Sequence, residues 1–194
     1  MSVAFENLFH DLQRYIAGHG VRVVLKTMDI DTPGEFDGLT ITMNPTHNAE
    51  ARSYYLAHAF GSIVQWSTDF KAAQKVFQNL RSASRQRVDE PEEFAAALES
   101  YQRFEERSSG YAVWMLREIG YQQIVRRYTI FFRADLEAMT HFHRTGQAPR
   151  WQEFFPQFKR LAKARELSVR PFAPTPIRRF EPKKIDVQEV LQER

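Results

Sequence analysis

Residues 34–66 read GEFDGLTITMNPTHNAEARSYYLAHAFGSIVQW, and the fold is decided by how this stretch changes character. Leu39–Met43 (LTITM) is rich in β-branched residues and reads as a strand. Asn44-Pro45 ends it, since proline fixes φ and removes an amide donor. Thr46 or Asn48 can then cap a helix running to about Trp66. A strand, a short polar loop and a long apolar helix therefore follow one another within 33 residues.

Upstream, apolar residues at helical spacing (Phe5, Leu8, Phe9, Leu12, Tyr15, Ile16) predict a helix over 3–18, closed by Gly18 and Gly20. Val21–Met28 reads as a strand, and DTPGEFDG reads as a turn. The two strands are expected to form a hairpin, or a pair within one small sheet. Downstream the pattern is helical throughout. One helix starts at Thr68 or Asp69 and runs to about Ala83. A long one follows Pro91 and ends at Gly120. Another covers about 121–144, and a final amphipathic one covers Trp151–Glu166. The order predicts an α+β domain, mostly helical, with its small sheet near the N-terminus.

Residues 170–182 hold Pro171, Pro174, Pro176 and Pro182, which exclude a regular helix. Phe172, Ile177 and Phe180 stand among those prolines, where a purely solvated linker would have little use for them. This segment is expected to lie extended on the helical body with Phe172 or Phe180 docked, and 186–193 to add a short helix. The division expected is one domain over 1–168 and an extended, basic, Pro-rich tail over 169–194.

Composition narrows the function. The chain has no cysteine, so disulfides, thiolate metal sites and a Cys nucleophile are all excluded. Its 27 Lys+Arg stand against 24 Asp+Glu, a near balance that argues against nucleic acid as the partner despite a pI near 9.2. No apolar run approaches the ~20 residues of a membrane helix, and Glu6 and Asp11 interrupt any signal sequence. A cytoplasmic protein is expected. There is no phosphate-binding glycine loop and no Gly-x-Ser-x-Gly elbow. Ser108-Ser109-Gly110 reads as a small-residue step for close helix packing rather than a nucleophile. Tyr128, Phe131, Phe132, Phe142, Phe154, Phe155 and Phe158 read as helix-packing aromatics.

The stretch from Thr40 to Ser62 resembles the opening of the ImmA/IrrE family of zincin-like metallopeptidases. In that family a strand ends in I-x-x-N, and the helix after a polar loop carries F-T-L-A-H-E-L-G-H. Here the strand ends Ile41-Thr42-Met43-Asn44, and the helix reads Tyr54-Tyr55-Leu56-Ala57-His58-Ala59-Phe60-Gly61-Ser62. Leu56, Ala57, His58 and Gly61 match. The resemblance covers about residues 20–120 and implies a zincin-like fold with zinc as the ancestral cofactor. In H-E-x-x-H the two His share one helix face and one ion, while the Glu polarises the bound water. Ala59 replaces that base and Ser62 replaces the second ligand. The family's third ligand, a Glu on a later helix, falls on Glu105 when Tyr111-Ala112 is set on the family's F-A pair; a slip of one residue selects Glu106.

The resemblance therefore implies no catalytic residue, no bound cofactor, and vestigial metal positions at His58 and Glu105. His47, in the loop before the helix, is a further candidate nitrogen. His141 and His143, two residues apart, face away from each other on a helix; His10 and His19 have no evident partners. The reading that follows is a non-catalytic relative of a bacterial zinc peptidase, with a peptide or protein partner and a regulatory role. The alternative is a metal-dependent hydrolase whose site is rebuilt around His58 and Glu105.

Overall fold

In the computed structural model, which describes residues 4–29, 32–86, 89–147 and 172–185, the chain is α+β and mostly helical. The elements are α1 (Phe5–Gly18), β1 (Arg22–Leu25), β2 (Gly34–Phe36), β3 (Thr40–Met43), α2 (Ala49–Thr68), α3 (Phe70–Arg85), α4 (Pro91–Glu118) and α5 (Val125–Thr145). A 3-10 turn over Gln122–Ile124 leads into α5. Among the described residues no helix is long and apolar enough to cross a membrane. The expected helix over 151–166, the short helix over 186–193 and the boundary at 168/169 lie outside the described residues, as do Phe154, Phe155 and Phe158.

Of the two expected arrangements, a hairpin or a pair within one small sheet, the structure has the second. The sheet order is β1-β3-β2, with β3 in the centre. β1 pairs with β3 in parallel, Val23 opposite Ile41, so these two strands share a sheet without forming a hairpin. The hairpin is instead β2–β3, antiparallel, with Glu35 opposite Thr42. Part of the stretch expected to be a turn is thus a strand. The turn proper is Asp37-Gly38. The Asp37 carboxylate accepts from the amides of Leu39 (3.0 Å) and Thr40 (2.7 Å), and Gly38 takes a φ of 86° that favours glycine.

Asn44 explains why the strand stops where it does. It is fully buried, and its amide nitrogen donates to the carbonyls of Met28, Asp29 and Thr32 while its oxygen accepts from Thr46. The side chain thereby ties the loop after β1 to the loop before α2. Four residues on, Asn48 caps α2 by accepting from the Ala51 amide at 2.9 Å.

α2 is the central helix. Tyr54, Leu56, Ala57, Phe60, Ile63 and Val64 have no exposed surface, and buried residues recur all round the helix. α1 covers one side with Leu8, Phe9, Leu12 and Ile16; the sheet covers another with Ile41 and Met43; α4 and α5 close the rest. α2 and α4 approach closely because their facing residues are small. A methyl group built on Gly61 would lie 2.2 Å from the Ser108 carbonyl oxygen. The small-residue step is therefore a packing device, as its sequence suggested, and Ser108 Oγ also donates to Gln65 Oε1 at 3.0 Å across the same interface.

Residues 172–185 run without helix or strand across this body. Phe172 is buried beside Tyr128, with the Arg133 guanidinium 4.6 Å above its ring. The Thr175 amide donates to the Gly110 carbonyl at 3.0 Å, and the Ile185 amide to the Asp37 carbonyl at 2.7 Å. The segment is a strap from α4 to the β2–β3 turn, held by both Phe172 and Phe180. Phe180 stacks on His19 at 5.7 Å, and Phe60 packs against the pair. His19 thus has aromatic partners that its sequence neighbourhood did not reveal.

That packing has a pH consequence. Burial lowers the His19 pKa from its ordinary 6.5, against the opposing attraction of Glu118. Burial does the same to His143, which packs on Tyr101 at the end of α5 rather than standing free in solvent. Well above pH 6.5 both folded and unfolded states are neutral at these rings. As pH falls below 6.5 the unfolded chain takes up protons that the folded chain resists. Stability is expected to fall on going from pH 7 to pH 5, and to fall less steeply in His19→Phe. Urea midpoints at the two pH values check this; equal slopes would remove His19 from the account.

Candidate functional site

His58 projects from α2 and Glu105 from α4, and they meet directly: Nε2 lies 3.0 Å from Glu105 Oε2. Their side chains are 12% and 16% exposed, so the pair is largely withdrawn from water. An ionised carboxylate only accepts, which places the Nε2 proton on His58 as the donor. On the other edge of the ring, Ser109 Oγ lies 3.4 Å from Nδ1. Phe132 of α5 stacks against the face of the imidazole, with centroids 3.8 Å apart and planes 18° from parallel. The ring is fixed from three directions by three side chains on two other helices.

Glu106 does not share this site. It turns outward and pairs with Arg133 at 2.7 Å. Of the two glutamates left open by the sequence pattern, Glu105 is the one opposite His58. The two groups hydrogen-bond to one another directly. Two donors sharing one tetrahedral zinc with bonds of ~2.1 Å would stand about 3.4 Å apart, close to the 3.0 Å between this pair.

These residues do not fit a catalytic zinc. Such a site takes three protein ligands, and among the described residues no three His or carboxylate side chains converge. Ser62 and Ala59, which stand where an H-E-x-x-H sequence would have its second His and its Glu, are both buried. His47 forms no three-ligand group with the pair among the described residues, and its Nε2 is buried without a hydrogen-bond partner.

Ser109, His58 and Glu105 have the order of a hydrolase triad, yet the chemistry does not follow. Ser109 is buried, and the void it shares with Glu105, Phe132 and Phe172 is about 10 Å³, the space of a single water. No acyl group can reach that hydroxyl. The neighbouring phenols are equally inert as acids. Burial, with the charges of Asp135 and Glu105, holds the pKa values of Tyr55 and Tyr101 well above 10. Burial does the same for Tyr128, whose hydroxyl makes no hydrogen bond of good geometry.

On the sheet side of His58 there is room. A cavity of about 280 Å³ lies between β2, β3, α2 and α3, lined by His58 and Ala59 together with Phe36, Met43, Tyr55, Trp66, Phe77 and Ile185. The sequence pattern gave His58 and Glu105 but not this cavity or the Phe132 stack. Its lining comes from elements far apart in the chain, and the residues concerned look locally like ordinary core.

No protein-family model, curated protein or solved structure matches this chain.

Proposed function

We propose that the protein is a non-catalytic relative of the ImmA/IrrE zinc peptidases, with a zincin-like fold whose cleft beside His58 holds a peptide or protein segment in a regulatory role. One observation carries this reading. The residues at the first and third ligand positions, His58 and Glu105, come together across α2 and α4 at 3.0 Å, while the positions of the base and the second ligand are Ala59 and Ser62. A direct hydrogen bond stands where the ancestral site would hold an ion.

Restoration is the test. Ala59→Glu combined with Ser62→His rebuilds H-E-x-x-H with Glu105 in place as the third ligand. Untagged double variant, equilibrated with zinc and desalted, is expected to retain about one ion per chain by mass spectrometry. The unaltered chain is expected to retain far less, and no more than His58→Ala. A folded double variant without zinc would sink the ancestry. Stoichiometric zinc in the unaltered chain, lost in His58→Ala, would instead favour the hydrolase with a rebuilt site.

A further inference from the structure

The cavity beside His58 is a ligand site in its own right, and we infer that it takes a flat bicyclic aromatic ring of indole or naphthalene size that carries no negative charge. Volume sets the size. At about 280 Å³ the space is nearly twice the ~150 Å³ of an apolar cavity that accepts benzene. A water-filled cavity this large needs polar partners on its walls, and here the lining is dominated by Phe36, Met43, Tyr55, Trp66, Phe77 and Ile185.

Shape sets the flatness. Trp66 and Phe77, stacked on one another with 5.2 Å between centroids and 28° between planes, both line the cavity, so part of its wall is aromatic. Offset stacking on such a wall favours another ring over an aliphatic chain. Charge disfavours an anion. Glu35, exposed on β2, is the one carboxylate among the described lining residues, so an acid would meet a like charge there. The imidazole of His58 offers an anion little compensation, because Glu105 and Ser109 already engage its two nitrogens. The site does not depend on the peptidase ancestry. The ring can come from a free aromatic compound or from a tryptophan side chain on a polypeptide, and the chemistry recognised is the same.

N-Phenyl-1-naphthylamine, a neutral fluorophore that brightens in apolar surroundings, serves as the reporter. Titrated into the full chain, it is expected to saturate at one equivalent and to be displaced by indole. Ala59→Leu brings a branched side chain into the cavity from α2 and is expected to weaken binding at least tenfold. Ile185→Phe narrows it from the strap and is expected to act in the same direction, which keeps the test open if Ala59→Leu does not fold. Val24→Ser, at an exposed apolar position on β1, is expected to leave binding unchanged. Displacement by both indole and N-acetyl-tryptophanamide assigns the ring to a polypeptide side chain; displacement by indole alone assigns it to a free compound. Unsaturable binding, failure of indole to compete, or affinity unaltered in both folded cavity variants overturns the site.

Discussion

Glu105→Ala is expected to destabilise the fold by about 3 kcal/mol, against less than about 1 kcal/mol for Glu106→Ala. The two residues are adjacent in sequence and identical in chemistry, so the difference isolates their surroundings. Glu105 is 16% exposed and accepts from a His58 ring that is itself 12% exposed. Its removal leaves a buried N–H without a partner, which costs more than the hydrogen bond itself contributed. Glu106 is 45% exposed and its partner Arg133 31%, so water replaces that pair readily. Glu105→Gln keeps an acceptor oxygen and should recover most of the loss. Urea denaturation of the three variants gives the comparison. Equal losses for Glu105→Ala and Glu106→Ala would mean that the His58 contact contributes nothing to holding α2 against α4.

The long helices were legible because their signals are local. Asn48, Asp69 and Pro91 mark the starts of α2, α3 and α4, and Gly146 closes α5 in the left-handed conformation. The strap was legible for a different reason: Phe172 and Phe180 are costly to expose, so their presence among prolines pointed to docking. The sheet was less so. β2 is only three residues long and sits between Pro33 and Asp37, where local chemistry says turn, and its ladder to β3 is what makes it a strand. The parallel pairing of β1 with β3 has no local signature at all.

The candidate site divides along the same line. His58 and Glu105 are found from a pattern because each lies on a long helix at a definite position. The cavity is invisible to such a pattern. Tyr55, Trp66 and Phe77 fall at spacings that any buried helix face would show, and Ile185 arrives from more than a hundred residues away. Side chains that only tertiary structure brings together are what the chain's local periodicity cannot encode.

Gly61→Ala is expected to lose about 3 kcal/mol, although helix propensity alone would make it a gain of about 1 kcal/mol. The added methyl carbon would lie 2.2 Å from the Ser108 carbonyl oxygen, 3.1 Å from the Ser108 carbonyl carbon and 3.3 Å from the Ala112 amide nitrogen. All three are backbone atoms of α4, so no side chain can turn aside and the helices themselves must separate. The separation would not stay local. Gly61 and Ser108 sit one turn along α2 and α4 from His58 and Glu105, in the same register, and Ser108 also holds Gln65. Moving the helices apart by the ~1 Å that a normal contact needs would stretch both hydrogen bonds beyond useful length. Gly18→Ala supplies the opposite sign: a methyl group there meets nothing within 4 Å, so only the propensity gain remains. Thermal and urea unfolding of the two variants should therefore move in opposite directions. A neutral Gly61→Ala would mean that α2 and α4 do not approach closely, and the contact of His58 with Glu105 would have to be abandoned with it.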